Sequence, residues 1–309
     1  MRKIPTIVLS AKRYVRAECW KVLHPSVLAI FNWHQITLEF DPKRQHDYTW
    51  TQLGQFENQI KWLASHYKIL PLFDAINQMR QGTLPGRFAS LTFDDGDISI
   101  AECVLPVLKR HNLPATFFIN SAYLNGRRTY WFPILNYLNA DDVARDLSGF
   151  PEGLLDEGQQ LRSTQDPSFY NVVRSRVEQY ASAIPDLNVR LVSEKWLSNL
   201  DREQFTIGAH GHEHQRFSMM PSDWQRTDLH NNIKILSQFR AYRPIFAVPF
   251  GKRGDWTRET IEIAKGYGLE ILLADGGLNT TYTSFHRRIP SDGCELRRLI
   301  TNAMSASRM

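Results

Sequence analysis

The 309-residue sequence predicts an α/β protein folded as an irregular (β/α) barrel of about seven parallel strands, with a largely helical insertion. Short apolar segments alternate with amphipathic, helix-like segments along most of the chain. A polar stretch over residues 126–200 interrupts this alternation and carries few strand signals. Reactive side chains recur directly after the apolar segments, and in a barrel such positions share one rim. A doubly wound open sheet is the alternative.

The first half of the chain is predicted to contain four strands separated by three helices. Apolar runs bounded by turn residues predict the strands, and apolar residues three and four positions apart predict the helices. In chain order the segments are the strand 27–33, the helix 55–66, the strand 68–71, the helix 72–80, the strand 88–93, the helix 100–111 and the strand 115–120.

The alternation resumes after the insertion. Ser222 and Thr257 are predicted to cap two helices, because their side-chain oxygens can accept hydrogen bonds from first-turn N–H groups. Phe285–Ile289 is predicted to pair with an edge of the sheet. The other segments are the strand 205–209, the helix 222–236, the strand 245–248, the helix 257–266 and the strand 269–274. We expect one domain over residues 1–309, with the insertion as a helical cap over the site.

Composition limits the classes of partner. Apolar residues make up 42% of the chain, which is enough for a sizeable core and argues against disorder. The net charge of +5 favours anionic partners, but no Lys/Arg block is interleaved with aromatic residues, so nucleic acid is not expected as a partner. Three scattered cysteines without a CxxC spacing indicate reduced thiols in a cytosolic protein.

The N-terminal segment bears on location. It has neither a long apolar core nor a small-residue cleavage site, and no apolar run in the chain approaches the length of a membrane span. The expected location is therefore the cytoplasm. Ser10–Leu23 mixes basic and apolar residues. It is interpreted as a helix packed on the domain, with peripheral contact to a membrane surface as the alternative.

Two adjacent carboxylates, Asp94 and Asp95, follow the strand 88–93. Adjacent carboxylates repel each other, so we expect either a metal ion or a division of labour between an ionised ligand and a base. Other strand ends would bring further polar side chains to the same rim, namely His34, His210, His214 and Asp275. This grouping follows from the strand ends alone and is the main evidence for a site.

His210 and His214 supply the second half of the predicted site. Residues four apart face the same way on a helical turn, which suits two imidazoles on one metal ion, whereas His212 points away. With Asp95 they form a set of two histidines and one carboxylate, which catalytic zinc uses and non-haem iron also accepts. Histidines of the surface or core are the alternative interpretation of such a pair taken alone.

Three motifs occur in order: Thr92–Gly96 (TFDDG), Ile207–His214 (IGAHGHEH) and Phe246–Gly251 (FAVPFG). Together they resemble the polysaccharide deacetylase family, also called the NodB homology domain or carbohydrate esterase family 4. Trp33-His34 is similar to the Tyr-His opening of many members. The resemblance covers residues 28–290, apart from much of the insertion.

The resemblance implies a metal-dependent hydrolase that removes an acetyl group from an N-acetylated sugar of a polysaccharide or glycan precursor. Asp94 would be the general base. Pro249 would line the substrate groove, and the backbone N–H of Phe250 would help to hold the oxyanion. The implied ligands of one divalent metal ion, usually Zn²⁺, are Asp95, His210 and His214.

The sequence departs from the family pattern in its third and last motifs. The third motif contains no arginine to orient the base, and Arg288 is expected to supply it. The late Leu-x-His motif that carries the general acid has no clean match, so His286 is the first candidate and His34 the second. Asp275 resembles the family's late aspartate, which can tune that histidine, although a simple turn at Gly276-Gly277 is the other interpretation.

Two other functions stay open. A glycosyltransferase could hold a metal ion with Asp95-Gly-Asp97, but this DxD pattern is short and common and would leave His210 and His214 without a role. A catalytically inactive, glycan-binding homologue is the other alternative, because the general acid is unclear.

Overall fold

The computed structural model describes residues 26–39, 50–84, 86–126, 130–134, 190–295 and 298–299. Ser10–Leu23 and most of the predicted insertion lie outside these ranges. Within the ranges described, no helix combines the length and the apolar character that crossing a membrane requires.

The described elements follow the predicted alternation of strands and helices. The strands are β1 (Ser26–Trp33), β2 (Gln35–Thr37), β3 (Trp50–Gln52), β4 (Lys68–Ile69), β5 (Gly86–Phe93), β6 (Ala115–Ile119), β7 (Phe205–Ala209), β8 (Tyr242–Ala247), β9 (Glu270–Leu273) and β10 (His286–Pro290). The α-helices are α1 (Leu53–His66), α2 (Leu72–Arg80), α3 (Leu105–Arg110), α4 (Trp131–Ile134), α5 (Glu194–Ser198), α6 (Ser222–Leu236) and α7 (Arg258–Gly266).

Seven parallel strands close into a barrel. Hydrogen bonds link them in the order β1-β10-β9-β8-β7-β6-β5, and β5 pairs back with β1 from Ser26–Gly86 to Trp33–Phe93. The short β4 pairs with the first half of β5, whereas β6 pairs with its second half. The predicted barrel is therefore confirmed, and the open sheet is wrong because the β1–β5 pairing closes the ring.

The C-terminal strand corrects one prediction. The sequence predicts an edge position for Phe285–Ile289, but β10 lies inside the closed sheet, between β9 and β1. Its basic residues look unsuited to a barrel strand. His286 and Arg288 are nevertheless buried, because each faces a carboxylate inside the fold.

The helix starts agree with the sequence only in part. Thr257 caps α7 as predicted, since its side chain accepts a hydrogen bond from the Thr260 N–H in a capping box. Ser222 does not cap α6; it is the first helical residue after Pro221 and makes no capping hydrogen bond. The predicted helix 100–111 begins with a π-helical turn (Ile100–Val104) before α3.

A group of aromatic side chains packs beneath the C-terminal ends of β1 and β5. Trp33 stacks on Phe93 with ring centroids 5.5 Å apart, and Phe56 of α1 meets both rings edge-on. The Trp33 indole N–H donates to Gln59 at 2.9 Å, so the buried donor is satisfied. Burying each such ring stabilises the fold by roughly 2 kcal/mol. This packing fixes the strand ends that carry His34 and Asp94.

Candidate active site

The turn after β5 gives Asp95 an uncommon backbone conformation. Asp95 has a φ of 74° and Gly96 a φ of 78°, both in the left-handed region. The Gly96 N–H donates to the Asp94 carbonyl at 2.9 Å, which closes the turn. A Cβ at Gly96 would lie 3.0 Å from Cδ1 of Ile119, so glycine suits both the φ and the close approach. The turn sends the two carboxylates to different partners.

Asp95, His210 and His214 form a buried cluster. The Nε2 atom of each histidine lies 3.4 Å from Oδ1 of Asp95. One ligand atom from each residue can be chosen so that all three lie within 4.8 Å of one another. Their side chains are at most 5% exposed. The structure therefore brings together the three residues that the sequence predicts as metal ligands.

The hydrogen bonding of this cluster fits a divalent cation. Nδ1 of His210 lies 2.7 Å from the Ala247 carbonyl oxygen and donates to it, so Nε2 offers a lone pair. Burial lowers the pKa of His214 to about 3, which keeps its ring neutral. Oδ1 of Asp95 is buried and has no hydrogen-bond partner among the described residues. A buried carboxylate oxygen facing neutral imidazoles is costly unless a cation lies between them.

A loop, and not the predicted helical turn, brings the two histidines together. Residues 210–214 are non-helical, and Gly211 and His214 have left-handed φ values of 74° and 52°. The prediction of a helical turn is wrong because the spacing of four residues is satisfied by two left-handed positions instead. His212 turns out of the cluster, and its Nδ1 lies 2.9 Å from Oγ of Ser121.

Two side chains of α6 hold this loop in place. Asp228 accepts hydrogen bonds from the N–H groups of His212 at 2.7 Å and Glu213 at 3.0 Å. Asn232 accepts one from the His210 N–H at 3.1 Å and donates to the Ile119 carbonyl at 3.0 Å. Burial raises the pKa of Asp228 to about 7 despite these donors. These contacts occupy three backbone N–H groups of the loop and help to fix the direction of both histidines.

Asp94 faces an arginine from the far end of the chain. Nη1 of Arg288 donates to both carboxylate oxygens, at 2.6 and 2.7 Å, and Asn32 adds a donor at 3.1 Å. Burial alone would raise the pKa of Asp94, but the positive charge of Arg288 and its hydrogen bonds bring that pKa below its usual range. Oδ2 of Asp94 also lies 3.8 Å from Nε2 of His210. Asp94 is thus an ionised carboxylate beside the cluster.

His34 lies on the other side of Asp94. Its Nε2 is 3.7 Å from Oδ2 of Asp94, and its Nδ1 is 2.5 Å from Oδ2 of Asp292. Burial alone would lower the pKa of His34, but the Asp292 carboxylate outweighs it and raises the pKa to about 10. The sequence analysis missed Asp292. Asp292 follows the end of β10, just as Asp94 follows the end of β5, so the same rule could have identified it. The rule was not applied because the segment 285–289 was predicted to lie at the edge of the sheet.

The structure does not bring His286 to this cluster. It is the first residue of β10, is fully buried, and contacts Oε2 of Glu270 through Nε2 at 3.1 Å. Arg288 stands two residues later, so His286 is about 7 Å further from the rim along the strand. The preference for His286 over His34 as the acid finds no support in this geometry, because His286 begins its strand and the site lies at strand ends.

Asp275 also lies away from the cluster. It is exposed after β9, and its charge acts on Asp255. Among the described contacts of His286 and of His34, none involves Asp275. The predicted tuning of a catalytic histidine by Asp275 therefore has no counterpart in this part of the chain.

The loop after β8 borders the histidines. Phe250 has a left-handed φ of 61°, and its ring centroid lies 4.9 Å from that of His214. No described residue accepts a hydrogen bond from the Phe250 N–H. Pro249 lies against the histidine loop, since a Cβ on Gly211 would come 3.4 Å from its Cγ. Both residues are therefore near the site, as the sequence predicts.

An aromatic wall, formed by Tyr130, Trp131, Phe132 and Phe250, surrounds the His214 ring. The Trp131 indole N–H donates to the Glu213 carbonyl at 3.1 Å, which ties the wall to the histidine loop. The sequence analysis treats residues 130–132 only as part of the stretch 126–200 that interrupts the alternation. Four consecutive apolar residues opening a polar stretch were the signal available.

The sequence of the chain is similar to a known protein family and to several named proteins. A family model described as polysaccharide deacetylase matches residues 81–272. The poly-beta-1,6-N-acetyl-D-glucosamine N-deacetylase of Staphylococcus aureus strain MSSA476 is 32% identical over 158 residues, which cover 50% of this chain and 51% of that protein. The protein of the same name from Staphylococcus epidermidis is 31% identical over 90 residues, or 29% and 31% of the two chains. The chain spans about half the length of the first of these relatives.

Two solved structures share the fold. The Streptococcus pyogenes deacetylase PplD in complex with acetate superposes with a TM-score of 0.56 at 17% identity, covering 90% of this chain and 98% of that one. IcaB from Ammonifex degensii gives a TM-score of 0.61 at 16% identity, covering 90% and 97%. At these identities the likeness concerns the fold alone.

Proposed function

The chain belongs to the polysaccharide deacetylase family, and we propose that it is a metal-dependent hydrolase that removes acetyl groups from an N-acetylated sugar of a polysaccharide or glycan precursor. One observation carries the proposal: Asp95, His210 and His214 converge in a buried cluster, and the ionised carboxylate of Asp94 lies beside them. A hydrolase of this type needs a cation site and a base next to each other.

The proposed ligands of the metal ion, with Zn²⁺ as the first choice, are Asp95, His210 and His214. When bound, such an ion supplies Lewis acidity towards water and the acetyl carbonyl. Two imidazoles and one carboxylate also suit iron, so the identity of the metal has to be measured.

Asp94 is the proposed general base. Arg288 holds both of its oxygens and keeps it ionised, and its Oδ2 faces His210. In the reaction Asp94 accepts a proton from the attacking water while the water oxygen bonds to the acetyl carbon. The Phe250 N–H is the proposed donor to the carbonyl oxygen as negative charge develops on it.

His34 is the proposed general acid, in place of His286. Asp292 keeps His34 protonated from one side, and Nε2 points towards Asp94. His34 gives a proton to the sugar nitrogen as the carbon–nitrogen bond breaks, which releases acetate and a free amine. The 3.7 Å between Nε2 of His34 and Oδ2 of Asp94 offers a short path for returning the proton that Asp94 has taken.

The first substrate to test is a β-1,6-linked oligomer of N-acetylglucosamine. The staphylococcal relatives are named as N-deacetylases of that polymer. The aromatic wall beside His214 supports a sugar substrate, because binding sites combine apolar surfaces with a few well-placed polar groups.

Two alternatives fit the described residues less well. A glycosyltransferase of the DxD type needs Asp97 as a metal ligand, but Asp97 accepts hydrogen bonds from the Ser99 N–H at 2.8 Å and from Gln35 at 3.1 Å. That function would also leave His210 and His214 without a role. An inactive homologue would be expected to lack a suitable side chain for the proposed base or for a proposed ligand, whereas this chain carries Asp94, Asp95, His210 and His214.

The test measures bound metal and acetate release together. We expect the wild type to hold about one zinc per chain and to release acetate from the oligomer. His214→Ala should lose both properties, whereas Asp94→Asn should keep the metal and lose acetate release by about 10²–10⁴-fold. The exposed His230→Ala is the matched control and should resemble the wild type. Zinc-loaded wild type that releases no acetate from any N-acetylated oligomer would overturn the proposal.

A further inference from the structure

Tyr130 stands out among the residues of the aromatic wall. It is only 2% exposed, and the edge of its ring meets the His214 ring with centroids 5.7 Å apart. On its other side it packs on Tyr123, with ring centroids 4.9 Å apart. Packing of this kind fixes the ring, and with it the direction of the hydroxyl group.

The hydroxyl group of Tyr130 has no hydrogen-bond partner of good geometry among the described residues. The Asp95 carboxylate is the charge that acts most strongly on this hydroxyl. Its Oδ1, 3.4 Å from Nε2 of His214, is also buried and unpaired among the described residues. Buried tyrosine hydroxyls usually find a partner, and leaving one unpaired costs free energy. An unpaired donor beside an unpaired acceptor at a proposed metal site calls for an explanation.

Tyr123 shows that an unpaired hydroxyl is not a general feature of this region. Its ring packs on that of Tyr130, and it is just as buried, yet its hydroxyl donates to the Glu213 carbonyl at 2.9 Å. Glu213 lies between the two histidines of the cluster but is not one of the proposed ligands. The pair therefore offers one hydroxyl with a structural partner and one without a hydrogen-bond partner among the described residues.

We propose that Tyr130 is a positioning residue for the metal ion: in the metal-bound protein its hydroxyl donates a hydrogen bond to the Asp95 carboxylate. This inference rests on the proposed function, because it assumes that Asp95 is a ligand. Carboxylates that bind metals are commonly held by a second hydrogen bond, which fixes their orientation, and loss of that partner weakens metal binding 10- to 100-fold.

The proposal predicts opposite effects of Tyr130→Phe on the metal-free and metal-bound proteins. Phenylalanine keeps the ring contacts and removes an unpaired hydroxyl, so the metal-free variant should melt at or above the wild-type temperature. Zn²⁺ should bind about tenfold more weakly, which corresponds to about 1.4 kcal/mol less stabilisation by the metal. A purely structural tyrosine would instead lower the melting temperature with and without metal.

The experiment titrates Zn²⁺ against a chromophoric chelator and records melting curves with and without Zn²⁺, for wild type, Tyr130→Phe and Tyr123→Phe. We expect Tyr123→Phe to melt lower in both states, because it loses a structural bond to the histidine loop, whereas Tyr130→Phe should lose zinc affinity without melting lower in the metal-free state. Wild-type zinc affinity in Tyr130→Phe would overturn the role of Tyr130 and leave the proposed function standing. A wild type that binds neither zinc nor ferrous iron would overturn both.

Discussion

The two ends of the barrel each bury a histidine beside a carboxylate, but the two carboxylates are paired differently. At the C-terminal rim, Oδ1 of Asp95 faces two imidazoles and has no hydrogen-bond donor among the described residues. At the N-terminal end, Glu270 is paired with Arg80, with Tyr282 at 3.2 Å and with His286 at 3.1 Å. The unpaired Asp95 carboxylate supports the proposed metal site at the rim, whereas the paired Glu270 carboxylate links α2, β9 and β10 at the other end.

The strand β10 contributes to both ends and shows how sharp the difference is. His286 begins the strand and joins the Glu270 group, whereas Arg288, two residues later, holds Asp94 at the rim. Successive inward-facing residues of a strand are about 7 Å apart, so one strand can serve a structural group and a reactive one. Substitutions at matched positions of the two ends test this division.

The largest difference is expected between the two arginines. Arg288→Met should lower acetate release at least about 100-fold, because Asp94 loses the donor that orients it and keeps it ionised. It should also reduce the free energy of unfolding by about 3–5 kcal/mol, since the buried Asp94 carboxylate is left without its partner. Acetate assays and urea unfolding measure the two effects.

Arg80→Met is the control from the opposite end. Arg80 is 45% exposed, so loss of its pairing with Glu270 should cost at most about 1 kcal/mol and leave acetate release within twofold of wild type. Equal losses of activity in the two variants would contradict the division between the ends.

An intermediate effect is expected at Asp228. Asn keeps one acceptor oxygen, so Asp228→Asn leaves one backbone N–H of the histidine loop unpaired at a cost of about 1–3 kcal/mol. Zinc affinity should fall as well, because the loop carries both proposed histidine ligands. Asp223→Asn, on an exposed position of the same helix, should change neither quantity by a measurable amount. Unchanged zinc affinity in Asp228→Asn would show that the histidine loop keeps its shape without both hydrogen bonds to Asp228.

Substitution of His286 is expected to have the smallest effect on acetate release at neutral pH. His34, the other candidate acid, is the residue to compare it with. His34→Gln should lower acetate release about 10²–10⁴-fold, whereas His286→Gln should leave it within twofold. A large loss of activity in His286→Gln would restore that residue as the general acid.

The stability of the same variants against pH adds a second test. Burial lowers the pKa of His286 to about 4 from an ordinary value near 6.5. As the pH falls below 6.5, His286 becomes protonated in the unfolded chain but stays neutral in the folded protein. The folded state is therefore progressively destabilised until the pH reaches about 4. The loss amounts to roughly 2 kcal/mol at pH 5. Urea unfolding at pH 7 and pH 5 should show a smaller decline for His286→Gln than for wild type, while the exposed His230→Gln declines like wild type.

Much of the fold and of the site could be predicted because the signals are local. Alternating apolar and amphipathic segments predicted the barrel, and the residues directly after β5 and β7 include all three proposed metal ligands. The strand β10 was misjudged as an edge because His286 and Arg288 look too polar for a barrel. Their burial depends on carboxylates that lie elsewhere in the sequence, and no local pattern reveals those partners.

The sequence by itself determined the order of the strands and helices and which carboxylates and histidines lie at the rim, since both follow from spacing within a few residues. Only the tertiary structure decided which partner each polar group has. His34 meets Asp292 across 258 residues, and Arg288 meets Asp94 across 194. These pairs depend on the register of β1, β5 and β10 in the closed barrel, because a shift of one residue would turn each side chain to the other face of its strand.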